Sequence, residues 1–230
     1  MRKTLAFIIA LVLTFGSASL YASPAAIAEG DSGEYELLLP PPSTGGGMSV
    51  EEALGSRRSR RNYADTPIAI EQLSQILWAA YGMSEPNRRT APSAGALYSL
   101  VLYASIGDVE GMEPGIYRYE SERHALIRIA EGDAREALAL AAQRSVVDAP
   151  ATLLYGFDYD KALESYGEED LKYVYMEAGH SAQNVYLQAE SLGLGTCAIA
   201  GFVEYYTREA FALPAGEVPL YLMPIGHSLG

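Results

Sequence analysis

Four arginines crowd into five positions of "SRRSRRNY": Arg57, Arg58, Arg60 and Arg61, with Ser59 between the pairs. The chain around them carries a formal charge of −13, so a dense cationic stretch needs a reason. A guanidinium presents a planar fork of donors that matches the oxygens of an anion. If the segment is extended, alternate residues share a face. Arg57, Ser59 and Arg61 then point together, and Arg58 and Arg60 point away. The first set suits a bound anion. For Arg58 and Arg60, pairing with surplus acids at the surface is the simpler reading. A second candidate is "PSAGA", Pro92–Ala96, small enough to let a ligand reach the backbone, or an ordinary turn. His124, His180 and His227 are scattered without ligand spacing, which argues against a metal site. The single cysteine, Cys197, excludes an internal disulfide and any multi-cysteine metal site.

These residues need elements to position them. "SVEEALGSRR" places Ser49 three residues before Glu52, the spacing of a capping box, so a short helix delivers the arginines. "IEQLSQILWAAYG" puts Leu73, Ile76, Leu77 and Ala80 on one helical face and ends at Gly82. "NRRTAPSAGA" reads as a loop, and "LYSLVLYASI" and "ATLLYGF" as buried strands. "GIYRYE" and "HALIRIA" form a hairpin about Ser121 and Glu122, which leaves His124 exposed. A helix is expected from about Asp133, an N-cap candidate, to Gln143. The longest helical stretch is Leu171–Gly195. Its Gly179, Ala182, Tyr186 and Ala189 form a stripe that lets another helix approach. Gln183 and Asn184 read as its internal hydrogen-bonders, and His180 as an interface residue. "TCAIAGF" is strand and turn, "TREAFAL" a short helix and "VPLYLMPIGH" a last strand. Helices and strands interleave without a regular βαβ repeat, which favours α+β.

With 230 residues and 49% hydrophobic content the chain is long enough for one sizeable globular domain and unlike a disordered one. Sixteen basic against 29 acidic residues argue against general nucleic-acid binding, which needs a broad basic face. Seventeen tyrosines against five phenylalanines suggest apolar surfaces with polar tips, as at interfaces and pockets. The N-terminus reads as a secretory signal over residues 1–22: Arg2 and Lys3, the apolar run Leu5–Phe15, then small residues. Cleavage after Ser19, Ala22 or Ala28 fits. The run is shorter than the ~20 residues of a spanning helix, so export is expected and no stable membrane span. Residues 23–47, with Pro40–Pro42 and Gly45–Gly47, read as a linker, and the domain as 48–230.

Three stretches in this order, "RRSRRNY", "APSAGALY" and "EAGHSAQNVYLQAESLGLGT", resemble the FMN-dependent nitroreductase family. With "SVEEAL" and "ILWAAYG" the resemblance covers nearly all of residues 48–230. The "PSAGALY" form and "EAGH" are similar to the SagB-type dehydrogenase branch, some of whose members oxidise azolines in modified peptides. The resemblance implies a mostly antiparallel sheet flanked by helices, in a homodimer with flavin at the subunit interface. It puts Arg57, Arg58, Ser59 and Arg61 around the phosphate and ribityl chain of FMN, with Arg61 towards the ring's pyrimidine edge. A cation there stabilises the charge of the reduced ring.

The resemblance also implies that Pro92, Ser93 and Ala94 reach the flavin from the partner subunit. The backbone of Ala200 and Gly201 would lie beside flavin N5. Gln143 matches an amide that bonds the pyrimidine edge, or is a helix-end surface residue. His227 falls where a basic residue often nears the phosphate. Ala96 stands where many nitroreductases have asparagine, which fits the SagB-type branch better. Azoline oxidases of that branch use a Lys-Tyr pair before the long helix. Here the candidates are Tyr166, preceded by Ser165, and Lys172 with Tyr173; the Tyr166 alignment leaves the lysine missing. The expected function is an exported FMN oxidoreductase acting on a small-molecule substrate or electron acceptor, contacted by Tyr98 or Phe202. The other readings are a flavin-binding carrier or redox sensor without turnover, and a flavin-free interaction domain.

Overall fold

The computed structural model describes residues 27–29 and 35–229, so the secretory-signal reading of residues 1–22 lies outside the described residues. Strands β1 (Ile27–Glu29) and β2 (Tyr35–Leu38) lead into helices α1 (Val50–Ser56) and α2 (Ile70–Tyr81). A small hairpin, β3 (Met83–Glu85) and β4 (Arg88–Arg89), and a 3-10 turn at Ala94–Ala96 precede β5 (Leu100–Ile106), β6 (Gly115–Glu120) and β7 (Ala125–Glu131). Then come α3 (Arg135–Ala141), α4 (Ser145–Asp148), β8 (Ala151–Asp158), α5 (Tyr159–Tyr166) and α6 (Lys172–Ser191). The last elements are β9 (Leu194–Thr196), α7 (Glu204–Ala210) and β10 (Glu217–His227). Eight strands form one antiparallel sheet in the order β1-β2-β7-β6-β5-β8-β10-β9, as the α+β reading expects.

The sheet is covered on both faces, so its central strands are apolar on both. Leu153 and Tyr155 of β8 pack with Leu73, Ile76 and Leu77 of α2 and Val174, Ala178 and Val185 of α6. Leu154, between them, points the other way, to Leu138 of α3, Val146 of α4 and Phe211 beyond α7. Several tyrosines belong to this core rather than to surfaces. Tyr81, Tyr103, Tyr117 and Tyr155 are fully buried. Their hydroxyls are all bonded, for example Tyr103 to Glu217 at 2.8 Å and Tyr117 to the Glu113 carbonyl at 2.8 Å. The phenol body fills the core while its oxygen finds a partner.

Three departures from the sequence reading have physical causes. The expected linker contributes β2, which pairs with β7, and Leu37 and Leu39 are buried, so folded structure begins before Met48. The four-residue run "YELL" is too short to show a strand period beside the prolines and glycines after it. Helix α3 starts at Arg135; Asp133 accepts from the Arg135 amide at 3.0 Å, outside the N-cap position. His124 is half-buried in the β6–β7 turn rather than exposed. Its Nδ1 meets the Tyr119 hydroxyl at 2.7 Å, and its Nε2 meets the Ser74 hydroxyl at 2.8 Å and the Pro40 carbonyl at 3.1 Å. Burial lowers its pKa from the ordinary histidine value, against the Pro40 bond, which raises it.

Candidate active site

The capping box forms as read: the Ser49 amide donates to Glu52 at 2.8 Å and the Glu52 amide to Ser49 Oγ at 3.1 Å. Helix α1 ends at Arg57, whose backbone is extended (φ −52°, ψ 125°). The chain then runs beside the sheet margin. The Arg60 amide donates to the Thr196 carbonyl at 2.9 Å, and the Ala64 amide to the His227 carbonyl at 2.8 Å. Gly195 of β9 and Gly226 of β10 are register partners beneath it. A Cβ on Gly195 would meet Arg60 Cβ at 3.0 Å, and one on Gly226 would meet Tyr63 Cγ at 3.0 Å and Pro150 Cδ at 2.9 Å. Two facing glycines therefore make the trough in which Arg60–Tyr63 lies.

Tyr186 of α6 collects the outward face of this segment. Arg57 lies over its ring at 5.2 Å, a cation–π distance, and Ser59 Oγ is 2.9 Å from its hydroxyl. The same hydroxyl accepts from the Ala198 amide at 2.7 Å. Arg57 and Ser59 are thus tied to the strand-to-turn segment that continues into Ala200 and Gly201. Residue spacing carries no sign of this role and puts Tyr186 only in a packing stripe. Arg60 turns to Glu190 at 3.3 Å, one helical turn beyond Tyr186, in a half-buried pair. Arg58 and Arg61 are exposed.

Among the described residues the other arginines have partners. Arg60, Arg88, Arg89, Arg118, Arg123, Arg128, Arg135 and Arg144 each pair with a carboxylate. Arg208 donates to three backbone carbonyls. Among the described residues Arg57, Arg58 and Arg61 have neither a carboxylate nor a carbonyl as partner, in a chain with acids in excess. The cluster presents positive charge that the fold does not consume.

Ala200 and Gly201 are exposed, and a Cβ on Gly201 would meet nothing within 4 Å. Ala200 and Phe202 line a cavity of about 460 Å³ with Tyr175, Glu204, Leu220 and Tyr221. The larger cleft, about 830 Å³, opens between residues 41–50, α2 and α6 and contains none of the sequence-predicted site residues. Gln143 is exposed between α3 and α4, and His227 is half-buried at the end of β10.

Pro92, Ser93 and Ala94 lie elsewhere on α6. Ser93 Oγ donates to Glu177 at 2.7 Å and accepts from the Tyr98 amide at 2.9 Å. Asn184 donates to the Thr90 carbonyl at 3.2 Å. Gly95, Ala96 and Tyr98 all have positive φ, between 49° and 61°. The Tyr166 hydroxyl donates to the Ala94 carbonyl at 3.0 Å, so it braces this loop. Its ring meets that of Tyr173 at 5.6 Å, and Lys172 Nζ lies 5.3 Å from the Tyr173 ring. The two alternative Lys-Tyr placements therefore converge on one cluster, with the ammonium paired to Asp170 at 2.6 Å.

Helix geometry relates the two groups. At about 100° per residue, Glu177 and Tyr186 point in opposite directions and are about 13 Å apart along the axis. Asn184 falls on the Glu177 flank. Between the flanks runs a stripe with Met176, Gly179 and His180, all exposed.

A sequence model of the family described as "Nitroreductase family" matches residues 54–227. A Methanocaldococcus jannaschii protein named as a nitroreductase is 43% identical over 185 residues, 79% of this chain and 92% of that protein. The microcin B17-processing protein of Escherichia coli is 26% identical over 176 residues, 72% of this chain and 65% of that protein. A crystal structure described as a nitroreductase from Ralstonia eutropha superimposes with a TM-score of 0.72 at 26% identity, covering 91% of this chain and 97% of that one.

Proposed function

The chain belongs to the nitroreductase family and is an oxidoreductase of the nitroreductase fold; from that premise we propose that it binds FMN between two copies of itself and acts as a SagB-type dehydrogenase outside the cytoplasm. The observation that carries the flavin reading is the trio of acid-free guanidiniums, Arg57, Arg58 and Arg61. A dianionic phosphate is what such a cluster binds, with the Ser59 hydroxyl as a further donor. When bound, FMN supplies the electron-pair chemistry of its N5 position. The open turn at Ala200 and Gly201 offers backbone to a flat ring, and Gly201 puts no Cβ in its way. Phe202 and Tyr221 give the neighbouring cavity aromatic walls for one flat substrate.

Two copies are needed because one chain cannot bring its own Pro92–Ala94 loop to Arg57. Those groups hang on opposite flanks of α6. In the proposed dimer the exposed stripes of the two α6 helices face each other, and each loop reaches the other copy's arginine segment. Similarity to the microcin-processing protein supports the SagB-type assignment. The basic-then-apolar N-terminus supports export, and no helix among the described residues is long and apolar enough to cross a membrane.

The test is reconstitution of purified protein with FMN. Expected are a yellow dimer, loss of binding in Arg57→Ala, and bleaching of the bound flavin by an organic reductant. Gly179→Trp projects into open space from the stripe and should give a folded monomer with impaired flavin binding. A colourless protein that takes up no FMN would sink the reading. A tightly bound flavin that no donor reduces would leave the carrier or sensor.

A further inference from the structure

Glu177 is 1% exposed and lies in the second turn of α6, buried where a carboxyl is costly unless bonded. It has three donors around it. The Tyr81 hydroxyl donates to Oε1, the Ser93 hydroxyl donates to Oε2 at 2.7 Å, and the backbone at Ser99 adds a third bond. The arrangement continues on both sides. The Leu100 amide donates to the Tyr81 hydroxyl at 3.2 Å, and the Tyr98 amide donates to Ser93 Oγ at 2.9 Å. Arg89 lies over the Tyr81 ring at 4.4 Å and the Tyr98 ring at 5.2 Å, and is itself held by Glu122 at 2.6 Å. Burial raises the Glu177 pKa, opposed by the Tyr81, Ser93 and Ser99 bonds and the Arg89 charge.

The loop so gripped needs a clamp. Ala96 and Tyr98 have positive φ without being glycine, a conformation that side chains disfavour by roughly 1 kcal/mol or more each. Ser93 begins this stretch, and its hydroxyl joins the start of the turn to Tyr98 near its end. We infer that Glu177 is a positioning residue: through Ser93 and Tyr81 it holds Pro92–Tyr98 in its strained shape, and so sets the wall that this loop gives to the flavin of the other copy. The inference rests on the proposed flavin site. It adds that a carboxyl buried in one subunit governs ring binding in its partner, without touching the ring.

The consequence is readable without flavin. In Glu177→Gln one acceptor oxygen becomes a donor, so Ser93 or Tyr81 loses its acceptor. Hydrogen exchange of the Tyr98 and Leu100 amides in the flavin-free dimer should quicken at least tenfold while α2 and β8 stay protected. FMN affinity should fall about tenfold, and kcat should drop more than KM changes. Tyr81→Phe leaves Ser93 untouched but removes the Leu100 amide's own acceptor, so there the Tyr98 amide is the readout: its exchange should quicken and FMN affinity fall, which decides the matter if Glu177→Gln does not fold. Unchanged exchange at Tyr98 in a folded variant overturns the clamp. Faster exchange with unchanged FMN affinity overturns its reach to the ring. Should wild-type protein bind no FMN, the flavin site falls by that result, separately from the exchange data.

Discussion

The two segments proposed to meet at the flavin are built in opposite ways. Pro92–Tyr98 is clamped by side chains: Ser93 to buried Glu177, Tyr166 to the Ala94 carbonyl, Arg89 across two tyrosine rings. The arginine segment is anchored through backbone, Arg60 to the Thr196 carbonyl and Ala64 to the His227 carbonyl over a glycine trough, with only Ser59 and Arg60 bonded to α6 by side chain. That leaves the guanidiniums of Arg57, Arg58 and Arg61 without an acid. A wall for an uncharged ring needs a fixed shape, and strain can be stored in it when neighbours over-determine the conformation. A site for an anion needs unspent charge, so its side chains must not be consumed by the fold.

The contrast can be broken at several places. The largest effect is expected from Arg57→Ala with Arg61→Ala. FMN titration should show a loss of 100-fold or more, since each charge-assisted bond contributes about 1.5–3 kcal/mol, while unfolding in urea should shift little. Equal losses in binding and stability would mean that these arginines are structural. Next is the trough: Gly226→Ala should cost about 1–3 kcal/mol in the same urea experiment through overpacking. Gly201→Ala, with open space at its Cβ, should cost under about 0.5 kcal/mol. A reversed order would refute the trough. Arg60→Met should lose about 1 kcal/mol, the scale of a partly exposed pair, and leave FMN binding within threefold. A Glu190→Gln partner that is additive with it would show there is no coupling.

The smallest expected effect is one of pH. Burial lowers the His124 pKa, so the fold disfavours its charged form. Below its unfolded value near ~6.5 the unfolded chain binds the proton first, so stability falls with pH until the folded pKa is passed. His124→Gln should flatten the part of a melting-temperature profile that lies below about pH 6.5. An unchanged slope would assign the acid sensitivity to other groups.

Local chemistry made much of this molecule legible in the chain. The Ser49–Glu52 box, the apolar face of α2 and the β6–β7 hairpin follow from short-range spacing, which is fixed by the periods of helix and strand. The candidate segments were visible as residue types: a cluster of arginines, a small-residue loop, a glycine turn. Their partners were not. Nothing in the order of residues says that Tyr186 would gather Arg57, Ser59 and the Ala198 amide, or that Glu177 would reach Ser93 from 84 positions away. His124 looked exposed because a hairpin turn usually is, until Ser74 and Pro40 close over it.

Charge, periodicity and the local excess of arginine are properties of residue type and near neighbours, so the chain carries them before it folds. Which arginines remain without an acid, and which flank of α6 each segment occupies, is settled by folding. Those outcomes depend on contacts between residues far apart in the chain, and a pairing of that kind leaves no local pattern to read.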